Sequence, residues 1–163
     1  QGRLEALLIF QQMVSDLTGM DLANASLLDE ATAAAEAMAM ARRLSKNKSD
    51  IVFIDENCYP QTIAVMQTRA ESLGFTVLIG NPFQQLDQCD FFSILVQYPA
   101  STGEINDLSA LVCCAHEKSA LVTVATDLLS LVLIKSPADY DVDIVVVVVE
   151  LLLTFVLAYL VLV

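Results

Sequence analysis

IVFIDENCYPQTIAVMQTRAESLGFTVLIG, residues 51–80, is the stretch whose reading decides the fold. Ile51–Ile54 is an apolar run too short for a helix and unbroken by polar positions, so it reads as a strand covered on both faces. Asp55–Pro60 is a turn, with Pro60 suited to the first turn of a helix. Gln61–Leu73 has helical spacing and is closed by Gly74. Phe75–Ile79 is a second apolar strand, ended by Gly80-Asn81-Pro82. Strand, helix and strand in that order make a parallel pair, because the helix carries the chain back to the starting edge.

The same alternation continues on the carboxyl side. Phe91–Tyr98 is a strand ended by Pro99, Ile105–Glu117 a helix, and Ala120–Ala125 a strand. The expected fold class is therefore α/β, a mostly parallel sheet with helices on both faces. Ligands in such sheets bind beyond the carboxyl ends of the strands. That rule points to Asp55–Pro60, Pro99–Gly103 and Asp127. Ser101-Thr102-Gly103 also has the composition of a plain turn, and that reading is preferred.

On the amino side, Ser45–Asp50 is a polar link. Leu27–Leu44 is helix-forming and alanine-rich, with Asp29 and Glu30 at its start and Arg42 and Arg43 at its end, as the helix dipole favours. Asn24 and Ser26 are candidate caps. So much small surface predicts close packing on another element. In residues 3–18 Leu4, Leu7, Leu8, Met13, Val14 and Leu17 recur at helical spacing, and Gly19 supplies a stop. This helix is expected to serve subunit packing rather than chemistry. The chain divides into amino-terminal helices over 1–44 and an α/β sheet fragment over 45–163, one incomplete domain in all. The start at Gln1, with no methionine and no targeting pattern, reads as internal.

Composition narrows the function classes. Eight Lys and Arg against twenty Asp and Glu give a net charge of −12, which repels phosphate backbones and argues against a nucleic-acid partner. Cys58, Cys89, Cys113 and Cys114 form no CxxC pair and His116 is the only histidine, so no metal site is expected. Reduced thiols in a cytoplasmic or organellar protein are the preferred reading. His116, beside Glu117 and Lys118, is expected to be a solvated surface residue. Ile144–Val163 has the length of a membrane span and one charge, Glu150. Its β-branched character and lack of flanking Lys or Arg favour two adjoining buried strands instead.

Three segments carry a family resemblance. QGRLEALLIFQQMVSDLTGMDLANASLLDEATAAAEAMAMARR (1–43), DENCYPQTIAVMQTRAESLGF (55–75) and LVQYPASTGEINDLSALVCCAHEKSALVTVATDLLSLVLIKSP (95–137) resemble the glycine cleavage system P-protein, specifically its amino-terminal, non-catalytic half. Residues 138–163 depart from that pattern. A loop rich in Gly, Ser and Pro in the family has become Val147-Val148-Val149-Glu150-Leu151-Leu152-Leu153. The resemblance implies two homologous halves, each shaped like the large domain of fold-type I pyridoxal-phosphate enzymes.

The resemblance also implies a chemistry. The parent is a pyridoxal-phosphate-dependent glycine dehydrogenase, which decarboxylates glycine and passes an aminomethyl group to lipoyl H-protein. This chain is the companion of a complementary catalytic half, in the bacterial cytoplasm or the mitochondrial matrix. Asp127 occupies the position of the acid that pairs with the cofactor's pyridine nitrogen. The matching lysine belongs near Glu150–Leu151, yet no lysine lies beyond Lys135. The phosphate turn reads Asn24-Ala25-Ser26-Leu27-Leu28-Asp29-Glu30, whose carboxylates repel a phosphate dianion. Tyr59 stands where the family's N-C-H-P-Q-T carries histidine; it keeps an aromatic body without a base near neutral pH. No cofactor and no catalytic residue are expected on this chain, and no independent activity. The alternative is an engineered or incomplete α/β scaffold with no activity at all.

Overall fold

The computed structural model describes residues 2–24, 27, 29–151 and 155–162, with side chains described through Val148. In chain order the elements are α1 (Gly2–Thr18), β1 (Leu22–Ala23), α2 (Glu30–Leu44), β2 (Ile51–Asp55), α3 (Pro60–Leu73), β3 (Thr76–Gly80), α4 (Pro82–Gln85), β4 (Ser93–Gln97), α5 (Ser109–Glu117), β5 (Leu121–Asp127), β6 (Ile144–Leu151) and β7 (Phe155–Leu162). The strands form one sheet in the order β1-β7-β6-β5-β4-β2-β3. β3, β2, β4, β5 and β6 run parallel, and β7 and β1 add an antiparallel edge.

Alternation along each strand sorts the core into two layers. Phe53, Ile94, Val96, Val122, Val124, Val145 and Val147 pack with Val14 of α1 and with Leu111, Val112 and Ala115 of α5. Val52, Ile54, Leu95, Ala125, Ile144 and Val146 pack with the alanines of α2 and with Met66 and Ala70 of α3. The sheet is thus covered on both faces, which is why its strands are apolar throughout. Those continuous runs made the architecture legible.

Local chemistry sets the helix ends. Gly74, at φ 76°, closes α3 with its N–H on the last turn, as its position after Leu73 predicted. Gly19, at φ 75°, ends α1, its N–H donating to the Ser15 carbonyl at 2.8 Å. α2 begins later than Leu27, and its cap is not Asn24; Ser26 lies outside the described residues. Asp29 caps it, its extended backbone letting Oδ1 accept from the Thr32 N–H at 2.8 Å. α5 also starts later than Ile105, because the Asp107 carboxylate accepts from the Ser109 N–H at 2.9 Å and holds the preceding residues in a turn.

The last segment is a pair of strands. β6 and β7 pair antiparallel from Ile144↔Leu162 to Leu151↔Phe155, so the apolar tail completes a sheet edge rather than a span. Among the described residues no helix is long and apolar enough to cross a membrane. The substituted loop residues Val147–Leu151 belong to β6, while Leu152 and Leu153 lie outside the described residues.

Candidate functional site

The carboxyl ends of β2, β4 and β5 open on a cleft of about 560 Å³, lined by Asp29, Glu30, Ala31, Tyr59, Gln61, Thr62, Gln97, Asp127 and Val148. Each wall follows from a local turn. The Asp55 carboxylate accepts from the Asn57 N–H at 2.9 Å, and the Cys58 N–H donates to the Asp55 carbonyl at 3.0 Å. That turn delivers Tyr59 to the residue preceding α3, with Pro60 in the first helical turn. Asp127 ends β5, where Oδ2 accepts from the Ser130 N–H at 3.1 Å and its carbonyl accepts from the Ser130 hydroxyl at 2.7 Å. Asp29 and Glu30 come from the start of α2, on the face of the sheet that α3 shares.

The cleft is electrostatically one-sided. Asp29, Glu30 and Asp127 line it, and among the described residues no Lys, Arg or His does. The described ion pairs, Arg42–Asp50, Arg69–Glu36 and His116–Asp143, involve none of these three acids. Glu30 is 8% exposed and accepts from the Thr62 hydroxyl at 2.7 Å. Burial raises its pKa, the Thr62 hydrogen bond acts against that, and the Asp29 charge raises it further. Burial also raises Asp55 beneath the cleft, and it pushes the Cys58 thiol well up, aided by the charges of Asp55 and Glu30. Gln97, 5% exposed at the end of β4, leaves Oε1 with no hydrogen-bond partner.

Tyr59 and Asp127, singled out in the sequence, thus share one cleft. Ser101–Gly103 does not line it; the Gly103 N–H closes a turn onto the Ala100 carbonyl at 2.8 Å. His116 is exposed at the surface, as expected, and its Nε2 lies 3.0 Å from the Asp143 carboxylate, which also accepts from the Val122 N–H. Cys113 and Cys114 face different partners, Glu117 and Asp87. Among the described residues no cluster could hold a metal ion. Sequence reading passed over Gln97 and Thr62. Gln97 did carry a signal, a polar residue at the carboxyl end of an apolar strand.

By the sequence resemblance this cleft corresponds to the place of pyridoxal phosphate, but its described residues do not fit that group; Ala25, Ser26 and Leu28 of the expected phosphate turn lie outside the described residues. A phosphate needs free N–H donors at a helix start. At α2 the Thr32 N–H is taken by Asp29 Oδ1, and Asp29 and Glu30 present carboxylates instead. None of the chain's four lysines lines the cleft, so the described walls hold no amine for the cofactor's aldehyde.

Comparison with known proteins agrees with this architecture. The glycine dehydrogenase (decarboxylating) of Sinorhizobium medicae is 57% identical over 146 residues, which are 90% of this chain and 15% of that protein. A crystal structure of glycine decarboxylase (P-protein) of the glycine cleavage system, in inhibitor-bound form, superposes with a TM-score of 0.86 at 27% identity, covering 99% of this chain and 39% of the other. The O-acetylhomoserine sulfhydrylase of Wolinella succinogenes shares the fold at 20% identity, with a TM-score of 0.75 over 96% of this chain and 46% of that one. The fold is that of the large domain of fold-type I pyridoxal-phosphate enzymes. A family model described as "Glycine cleavage system P-protein" matches residues 1–150, past Pro137 and into β6. By sequence and by fold alike, the chain belongs to the glycine cleavage system P-protein family.

Proposed function

We propose that this chain is a non-catalytic segment of a glycine-decarboxylating P-protein, acting as scaffold and interface for a complementary catalytic half. The parent would decarboxylate glycine with pyridoxal phosphate held by that other half, and pass the aminomethyl group to lipoyl H-protein. The chain spans 15% of the length of the Sinorhizobium medicae relative, which leaves the catalytic machinery room elsewhere. The observation that carries the reading is the cleft. It keeps an acid, Asp127, at the end of β5, yet it has carboxylates at the phosphate end and no lining lysine. Its residues can position a neighbour and exclude water, but they supply no nucleophilic amine.

The exposed face of α1 supports the interface part of this role. Leu4, Leu7, Leu8 and Ile9 are all more than half exposed, although Val14 of the same helix is fully buried. A row of that kind is what a covering subunit would bury.

Two measurements test the proposal. Borohydride treatment of this chain with pyridoxal phosphate should give no adduct within the cleft. A stable adduct there overturns the silent role. In the parent protein, Leu4→Glu with Leu8→Glu should lower glycine decarboxylation while leaving the melting temperature of the isolated chain unchanged. Full activity in the doubly substituted parent would remove the interface from the proposal.

A further inference from the structure

The first two turns of α1 stand clear of the rest of the molecule. Every residue from 2 to 9 is exposed, and burial begins only at Phe10 and Val14. Leu4, Leu7, Leu8 and Ile9 spread over more than half of the helix circumference, at about 100° per residue. A helix apolar on so many sides is one that another surface surrounds. Beside the root of this arm lies a second apolar surface. α1 touches the short 3-10 turn Ser130–Val132, which Asp127 holds by accepting from the Ser130 N–H and hydroxyl. Leu128 and Leu131 turn inwards there, whereas Leu129 is 76% exposed and Leu133 89%, with Val132 open between them.

Arm and ledge make one face. Its seven large apolar side chains expose an area on the order of 800 Å², more than the largest patch of a typical monomer and about what one partner contributes to a standard interface. The net charge of −12 does not fall on it. Residues 128–134 carry no charge, Asp127 and Lys135 flank them with opposite signs, and the arm sets Arg3 against Glu5. The face also has two unlike parts, a projecting rod and a flat ledge. A two-fold axis lays the rod of each copy on the ledge of the other, which uses both parts and closes the pair.

We propose that two copies of this chain pair through this face, residues 2–9 of each lying on the 129–133 ledge of the other. Together the two copies bury about 1,600 Å², the standard size of a specific interface. The inference goes beyond the scaffold role and does not rest on it. A complementary half claims α1 in the parent protein, and a second copy takes the same face where that half is absent.

Sedimentation velocity on the 163-residue chain, over a concentration series, makes the test. A reversible monomer–dimer equilibrium is expected, with nothing larger. Leu4→Glu with Leu8→Glu breaks the arm, and Leu133→Glu breaks the ledge. Each should raise the dimer dissociation constant roughly tenfold or more, because a carboxylate buried without a partner is costly. All three positions are exposed, so below the dissociation constant the variants should melt like the unsubstituted chain.

A monomer at every concentration overturns the inference and leaves the scaffold role, which activity in the parent reads, untouched. A dimer indifferent to the arm or to the ledge substitutions also overturns it. So does growth into larger oligomers, which means a contact that does not close. A monomeric chain that floats with phosphatidylcholine vesicles gives the face to a lipid surface, and overturns it as well.

Discussion

α2 and α1 cover opposite faces of one sheet, and they invert the usual relation between hydrophobicity and burial. α2 is the less apolar helix, yet eight of its fifteen residues are buried, six of them alanines. α1 carries a run of leucines, isoleucine, phenylalanine and methionine, yet of its seventeen residues only Val14 and Thr18 are buried. The difference lies in side-chain size and in what lies beyond the helix. Alanines let α2 approach the sheet closely and leave room for α3 to pack beside it. The large side chains of α1 are held away from the sheet, apart from Val14 and the half-buried Phe10 and Leu17. Burial therefore follows the space available in the fold, while apolar content on α1 marks a surface that this chain does not itself cover.

The comparison breaks most easily at Ala37, which is fully buried on α2. Ala37→Leu adds three carbons where none fit, and should lower stability by about 3 kcal/mol, the upper range for overpacking. Leu7→Ala removes the same three carbons from a residue 54% exposed, and should change stability by no more than about 0.5 kcal/mol. Urea denaturation of both variants gives the answer directly. If the α1 substitution proves the more costly, the account of the two helices is wrong.

How much of this was legible in the sequence follows from the same physics. The parallel sheet was, because strands buried on both faces write themselves as unbroken apolar runs such as Ile51–Ile54. Helix stops were also readable, since Gly19 and Gly74 adopt the left-handed conformation that ends a helix. The start of α2 was misread, because Asn24, Ser26 and Asp29 are all good caps and only tertiary packing chooses between them. For α1 the expectation was subunit packing, although helical spacing alone shows an apolar face without saying whether the same chain covers it. In the cleft, Tyr59 and Asp127 could be placed from strand ends. Glu30 was placed only through the family resemblance, as part of the phosphate turn, and Gln97 was passed over although it is a polar residue at the carboxyl end of an apolar strand.

The ends of the helices offer a smaller contrast. Gly19 and Gly74 have nearly the same positive φ, 75° and 76°, so an alanine at either meets the left-handed penalty of about 1–2 kcal/mol. Their surroundings differ. A Cβ at Gly19 would lie 2.7 Å from the Ala138 Cβ, whereas at Gly74 nothing lies within 4 Å. Gly19→Ala should therefore cost more than Gly74→Ala, by about 1 kcal/mol, since the segment carrying Ala138 has to shift. Thermal unfolding of the pair measures that difference, and equal losses would mean that the Ala138 segment yields freely.

The last effect has the opposite sign, a gain in stability, and concerns Glu30, at the cleft end of α2. Burial raises its pKa in the folded chain, against the pull of Thr62 and with the push of Asp29. Asp55 beneath it is raised by burial too, and Glu30 in turn adds to the rise at Cys58. A carboxyl whose native pKa exceeds its unfolded value binds more protons when folded. Stability from Glu30 is then fully present below the unfolded value, near about 4.3, and is lost as pH rises through the native value. Glu30→Gln removes that loss and keeps an acceptor for the Thr62 hydroxyl. The variant should melt higher at pH 7, and the gain should shrink towards zero as pH falls to the unfolded carboxyl range. No gain at pH 7, or a gain that persists at about pH 4, would mean that burial does not disfavour the Glu30 charge in the folded chain.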